Sequence, residues 1–414
     1  MLNKIWVAFI LVGFVAAVAQ LLQGALDIFT RVLTGLFDTA KTGFDISLGL
    51  VGIMSLWLGI MKIGEKGGLI ELFSRLVAPF FRRVFPDIPA GHPASGSIVM
   101  NVSANMLGLD NAATPLGLKA MRELQEINPQ KDTASNPMIM FLVLNTAGIT
   151  LIPTTVIAIR QSIALKQGLV GFNAADIFLP TLLGTFVSFC AGLIAVAIWQ
   201  RINLFCKPVL VFFGGFAVLM AGLYFWLAGM PPEQMAQMIG LLGSGLIVSI
   251  IVLFVAVAAW RGIDVYESFV DGAKEGFGVA VQIIPYLIAM LVAISVFRTT
   301  GCMDYVIAGI RSVVLAFGLN DDFVPALPVG LMKTLSGSGA RGLMVDVMTT
   351  YGVDSFQGKL AAIIQGSTET TFYVLAVYFG SVNITKTRYA LACGLLADAV
   401  GLVGAILIGY AFFH

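Results

Sequence analysis

One carboxylate lies in the middle of an apolar run of membrane length. Glu369 belongs to Gln365–Gly366–Ser367–Thr368–Glu369–Thr370–Thr371, with Leu360–Ile364 before it and Phe372–Phe379 after it. An ionisable group in hydrocarbon costs about 2.5–3.5 kcal/mol on insertion scales, so it is kept there for a partner or a task. Glu369 is about nine residues from either end of its run, too far for a short side chain to reach water by snorkelling. Three readings fit: a protonatable or cation-binding carboxylate, a hydrogen-bond acceptor for a solute, or a buried ion pair with Lys333 or Arg341. The neighbouring Ser367, Thr368 and Thr370 can line a site or bond back to their own helix. Asp398, in the last apolar run, is a weaker instance of the same case.

Three more stretches interrupt apolar sequence with polar, Gly or Pro residues. The first is 101–115, with Asn101, Ser103, Asn105, Asp110, Asn111 and Pro115. The second is Asn145–Thr155, with Asn145, Thr150 and Pro153. The third is Lys333–Arg341, which contains Ser336–Gly337–Ser338–Gly339. Where a membrane helix breaks, freed N–H groups and the positive dipole end suit an anion, and freed carbonyls suit a cation. Asp110–Asn111 reads equally as an N-cap of a returning helix. The Ser-Gly-Ser-Gly run lacks the Gly-Lys-Ser/Thr that ends a P-loop, so a tight turn with glycine at positive φ is expected instead. Lys333 and Arg341 flank it and would bias a site towards an anionic group, or else snorkel to the interface, Lys333 more readily than Arg341.

The elements that must position these residues are set by composition. Of 414 residues, 58% are hydrophobic and 11% charged, against about 25% charged in a soluble domain. The chain is an all-α polytopic membrane protein. A net charge of +1 leaves no electrostatic footprint for nucleic acid. Cys190, Cys206, Cys302 and Cys393 are scattered, and His92 and His414 are the only histidines; neither a metal cluster nor a Ser-His-Asp centre is expected, and an enzyme is the least supported reading. Lys4, an apolar run and Ala17–Val18–Ala19 resemble a leader peptide. The run continues to Leu22, however, and is read as a span.

About nine crossings are expected, at Leu2–Leu22, Phe44–Met61, Met138–Ile159, Ile177–Trp199, Val209–Leu227, Ile239–Trp260, Phe277–Phe297, Leu360–Val382 and Tyr389–Phe413. His92–Met121 and Pro325–Thr350 read as re-entrant hairpins, tolerated only in protein or beside a wet cavity. Each follows an amphipathic segment, Leu69–Phe85 or Met303–Phe317, read as an interfacial helix. A displacement of 233 residues pairs Asp38–Phe44 with Asp271–Phe277, Gly68 with Gly301 and Ser103 with Ser336. A shorter displacement sets Asn145–Thr155 opposite Gln365–Leu375. The expected organisation is a first repeat over 1–200, a linking helix over 201–236 and a second repeat over 237–414. Five spans separate the starts of the copies, so the second is inverted. Fifteen Lys/Arg on one side against seven on the other place the N-terminus in the cytoplasm of a bacterial inner membrane and the C-terminus outside.

At these motifs the chain resembles known families over most of its length. Leu56–Gly68, Leu109–Gly117 and Leu144–Arg160 resemble the spore maturation protein A family. Val265–Phe277, Leu335–Ala340 and Ile364–Tyr373 resemble the spore maturation protein B family. Both are similar to the nucleoside-recognition (Gate) group, which includes concentrative nucleoside transporters and the membrane domain of ferrous iron transporter B. The resemblance implies a fused chain with a nucleoside-transporter core of interfacial helix, hairpin and interrupted helix, twice and inverted. It points to Ser103, Asn105, Asn145, Thr150, Ser336, Ser338, Gln365, Thr368 and Glu369 as solute- or ion-binding positions, with Na+ or H+ as the coupling ion. The transporter motifs themselves are not matched closely enough to carry nucleoside specificity over. Iron is not expected, because the GTPase domain is missing and the breaks offer no Cys and, apart from Met106, no Met.

The leading expectation is therefore an ion-coupled permease for a small polar solute. The alternatives are movement of a lipid or cell-envelope precursor, and a non-transporting membrane partner or sensor whose interruptions pack into a dry interior. A homo-oligomer is compatible with each.

Overall fold

The computed structural model describes residues 2–107, 110–228 and 232–414, and among these it is helical throughout apart from one isolated β-bridge, Thr133 with Lys386. The first half runs α1 (Leu2–Leu22), α2 (Ile28–Lys66), α3 (Leu69–Val84), α4 (Pro93–Met106), α5 (Asp110–Glu126), α6 (Asn136–Thr146), α7 (Thr154–Lys166) and α8 (Phe178–Gln200). After α9 (Lys207–Ala228) come α10 (Pro232–Trp260), α11 (Val265–Thr299), α12 (Cys302–Ala316), α13 (Leu327–Lys333), α14 (Gly337–Tyr351), α15 (Phe356–Ser367), α16 (Thr371–Gly380) and α17 (Ala390–Phe413).

Among the described residues, seven segments are long and apolar enough to cross a membrane. The other two expected crossings are the broken pair α6/α7 and α9, whose apolar part spans Lys207–Leu223. Two spans are far longer than hydropathy suggested. Phe44–Met61 is the apolar part of the 39-residue α2, and Phe277–Phe297 that of the 35-residue α11. At 1.5 Å per residue α2 is about 58 Å long, well beyond a hydrocarbon core of about 30 Å. Polar residues such as Asp38, Thr39 and Lys41 lower hydropathy without breaking a helix, which is why the sequence understates these elements.

α2 and α11 pack along much of their length because glycines let their backbones meet. A Cβ on Gly276 would lie 2.5 Å from the Met54 carbonyl oxygen, and one on Gly59 would lie 2.6 Å from the Phe269 ring. Small residues also set α17 against α8, where a Cβ on Gly404 would come within 2.8 Å of Val187.

The amphipathic segments form α3 and α12. Each begins after a left-handed glycine, Gly68 at φ 72° and Gly301 at φ 73°. α3 buries Phe80 and Phe81, with Phe80 stacked on Phe212 of α9 at 4.5 Å, and leaves Leu72 and Leu76 exposed. The expected hairpins are helix pairs, α4/α5 and α13/α14. Asn101 ties the first across its arms by donating to the Ala113 carbonyl at 2.7 Å. In the second, Ser336 caps α14 by accepting from the Gly339 N–H at 3.1 Å. Gly337 and Gly339 are thus ordinary helical residues, not the positive-φ turn expected, because the serine hydroxyl takes up the freed donor. α5 starts at Asp110, and the side chains of Asp110 and Asn111, on which the N-cap reading rests, lie outside the described residues, as do Gly108 and Leu109.

The halves contact each other reciprocally. The α5–α6 connection meets the α16–α17 connection, where Thr385 N–H donates to the Asp132 carbonyl and Ala134 N–H to the Lys386 carbonyl, both at 3.0 Å. The corresponding α14–α15 connection meets the α7–α8 region. There Val353 N–H donates to Gln167 Oε1 at 3.3 Å, and Lys359 pairs with Asp176 at 3.4 Å. The fully buried Arg160 completes this second contact through an ion pair with Asp176.

Candidate functional site

The four interruptions are joined to one another by backbone hydrogen bonds. Leu151, in the break between α6 and α7, donates its N–H to the Met106 carbonyl at the end of α4, at 2.8 Å. Phe372, just past the break between α15 and α16, donates to the Thr334 carbonyl at the end of α13, at 3.3 Å. Each half therefore ties its hairpin to its own broken helix in the same way. Glu369 N–H closes the chain by donating to the Thr146 carbonyl at 2.8 Å. Inside a membrane such freed backbone groups must find partners in protein or in a wet cavity, and these breaks find one another.

Beside them lies a cavity of about 1080 Å³. One wall is the α2/α11 pair, which contributes Met54, Lys62, Glu65, Glu275, Gln282 and Tyr286. The other is built from both breaks and the second hairpin, through Thr150, Thr154, Lys333, Ser336, Ser338, Arg341, Gln365, Glu369 and Thr370. The breaks and the second hairpin thus border an open cavity rather than a closed interior.

Glu369 is open to this space, with its side chain 56% exposed, and Lys333 reaches it at 3.8 Å from a position only 6% exposed. Of the three readings for Glu369 the buried ion pair is met only in part: Lys333 is buried and pairs with it, but Glu369 itself sits where the break faces a cavity. Snorkelling of Lys333 is corrected, because its ammonium turns inward to the carboxylate. Arg341 lines the cavity and donates Nε–H to the Gly337 carbonyl at 3.4 Å. Across the space, Lys62 bridges Glu65 at 3.1 Å and Glu275 at 3.2 Å. The lining is therefore balanced in charge rather than cationic. The N-termini of α7, α14 and α16 end at it, and neither α7 nor α16 has a side-chain cap. Gln365 contributes a buried Oε1 with no hydrogen-bond partner among the described residues.

The remaining expected site residues lie elsewhere. Among the described residues, none of the first hairpin lines the cavity. Ser103 donates to the Val99 carbonyl at 2.7 Å and accepts from Ser74. Asn105 donates to Asn145 Oδ1 at 2.8 Å, and Asn145 donates back to the Phe141 carbonyl at 2.9 Å. These amides, with Tyr378 near Asn145 and stacked on Phe141, knit the first hairpin to α6 and α16. Ser367 bonds back to the Ile363 carbonyl and packs against Gly184 of α8. The Thr368 methyl lies over Gly401 of α17. Thr368 is extended, at φ −142° and ψ 164°, and this single residue turns Glu369 to the cavity while its predecessors face α8 and α17.

One group of residues escaped the sequence reading, Lys62, Glu65 and Glu275; their signal was the i,i+3 Lys–Glu pair on a helix continuing past its apolar part. Asp398, named from the sequence as the weaker case, is buried at 4% exposure and accepts from Thr371 Oγ1 at 2.6 Å, and its other carboxylate oxygen has no partner among the described residues.

Comparison with known proteins follows the same division. The model of the family described as Gate, nucleoside recognition, matches residues 47–162 and 280–385, more than half of the chain. Each match runs from a long helix through the following broken helix. Spore maturation protein A of Bacillus subtilis (strain 168) is 45% identical over 188 residues, 45% of this chain and 90% of that protein. Spore maturation protein B of the same organism is 47% identical over 148 residues, 36% of this chain and 82% of that protein. The two matches are consistent with a chain that joins an A-like to a B-like part. No solved structure matches.

Proposed function

The chain belongs to the nucleoside-recognition (Gate) family, and we propose that it is a multi-pass permease of a bacterial inner membrane, coupling a small polar solute to an ion. The observation that carries this reading is the cavity itself. Two helix breaks and a hairpin, linked by backbone hydrogen bonds, present Glu369, Lys333 and Arg341 to a space large enough for a metabolite. A purely structural core would gain nothing from an exposed carboxylate at the middle of a membrane-length segment.

In this reading the solute is nucleoside-like or carries an acidic group. Its acid would meet the uncapped N-terminal turns of α7 and α16 and the Arg341 guanidinium. Its hydroxyls or amides would meet Thr150, Ser338, Gln365 and Glu369. The reciprocal contacts of the two halves favour inverted repeats and alternating access by movement of the hairpin and broken-helix wall against α2 and α11, and the Lys/Arg bias favours a cytoplasmic N-terminus.

The test is a thermal-shift screen of the purified protein against nucleosides, nucleoside monophosphates and simple carboxylates, since a true ligand stabilises the fold by mass action. Uptake of each hit into proteoliposomes follows. Loss of a charged hydrogen-bond partner at about 1.5–3 kcal/mol predicts about a 10- to 100-fold loss of uptake affinity in Glu369→Gln. Full uptake with coupling intact in that variant would remove Glu369 from the mechanism. Scrambling of vesicle lipid without solute uptake would replace the permease reading with lipid movement.

A further inference from the structure

We propose that Asp398 is a proton-binding site behind the break, separate from Glu369, and that it carries the coupling ion while Glu369 serves the solute. The coupling role rests on the permease reading; the binding of a proton does not.

The geometry divides the two carboxylates. Glu369 faces the cavity beside Lys333, whereas Asp398 lies on the far side of the break, buried at 4% exposure. Its Oδ2 accepts from Thr371 Oγ1 at 2.6 Å, and its Oδ1 is buried without a hydrogen-bond partner among the described residues. Thr371 is fully buried and sits between Thr370 and Phe372, both of which line the cavity. Asp398 is thus one hydroxyl behind the cavity wall. Gly394 makes that approach possible, since a Cβ there would come within 2.9 Å of the Thr371 methyl.

Among the described residues no counter-ion touches this carboxylate. α17 packs on α6, α8, α15 and α16. The titratable side chains these helices carry are Cys190 on α8, Lys359 on α15, and Tyr373 and Tyr378 on α16, with Cys393 and Tyr410 on α17 itself. Lys359 is engaged by Asp176 and Asp354. The charged groups that act on Asp398 through space are Lys333 and Glu369, of opposite sign and already paired with each other. A buried carboxylate with a single hydroxyl partner is held at a cost of several kcal/mol, and a proton removes most of it. A metal ion would instead want a shell of oxygens, and one hydroxyl stands at bonding distance among the described residues. The step is one proton: it binds Oδ1 to give the neutral acid, with Oδ2 still accepting from Thr371, and leaves to water in the cavity with no other bond changed.

Because Thr371 begins α16, it moves with the break. Any rearrangement that draws Glu369 and Thr371 towards a solute changes the one hydrogen bond that Asp398 has, which ties proton affinity to occupancy of the cavity.

The test is infrared difference spectroscopy of the purified protein in lipid, titrated between about pH 5 and pH 9, above the ordinary carboxylate range near 4. A protonated-carboxyl band is expected near neutrality that vanishes in Asp398→Asn and persists in Glu369→Gln. In Thr371→Val, which keeps Asp398 but removes its donor, the band should persist to higher pH, giving a readout should Asp398→Asn fail to fold. A spectrum unchanged by Asp398→Asn and by Thr371→Val would overturn the proposal. So would a band that appears only when choline replaces sodium, which would assign the site to a metal cation. A titrating Asp398 in a protein that moves no solute would leave the proton site standing and sink the permease reading alone.

Discussion

Glu369 donates its backbone N–H to the carbonyl of Thr146 at 2.8 Å, so the break in one half of the chain is hydrogen-bonded to the break in the other. The bond uses main chain on both sides and leaves the Glu369 side chain free to face the cavity. It therefore connects the two halves at the point where the candidate chemistry sits.

The Lys333–Glu369 pair is open on one side, and pairs exposed to water contribute about 0–1 kcal/mol. Charge exchange, Lys333→Glu with Glu369→Lys, is expected to change thermal stability little while each single variant abolishes most solute binding. Partial recovery of binding in the double variant, read by thermal shift with the ligand from the screen, would mark a functional pair.

Gly276 admits the α2 backbone, and a methyl group there would meet the Met54 carbonyl at 2.5 Å. Overpacking of this kind costs about 1–3 kcal/mol. Gly276→Ala should lower the unfolding temperature in detergent, while Gly278→Ala, with open space around it, should leave it unchanged.

Arg160 is fully buried and paired with Asp176, which also takes Lys359 at 3.4 Å. Removing the carboxylate strands a buried guanidinium, at about 3–5 kcal/mol. Asp176→Asn should therefore destabilise the protein more than Lys359→Met, which leaves the Arg160–Asp176 pair intact. Equal losses in denaturant unfolding would show that the pair is not the dominant contact.

Asp132 lies on a loop outside the spans, where the Lys386 hydrogen bond holds its carboxyl below the ordinary value of 3.8. A lowered folded-state value stabilises the fold above 3.8, and that contribution is lost as the pH falls below it. Lys386→Ala should flatten this acid-side loss. Stability profiles of the two proteins that stay parallel below pH 4 would argue against the linkage.

Much of the architecture is written locally. Gly, Pro and hydroxyl residues inside apolar runs announced the breaks at Asn145–Thr155 and Gln365–Thr371. Both amphipathic helices followed from periodicity, and the paired Gly68 and Gly301 marked a turn that recurs. These signals survive in one dimension because hydropathy, helix breaking and positive φ act within a few residues.

The membership of the site was decided elsewhere. Lys62, Glu65 and Glu275 enter it because a seam of glycines more than 200 residues apart in sequence lets α2 and α11 meet. Ser103, Asn105 and Asn145 leave it because their hydroxyl and amides are taken up by bonds among α3, α4 and α6. Within Gln365–Thr371 the sequence alone established that a carboxylate interrupts a membrane helix. Only the tertiary structure sent Glu369 to the cavity and Ser367 and Thr368 to α8 and α17, because one extended residue at a helix break reverses which way the next side chain points.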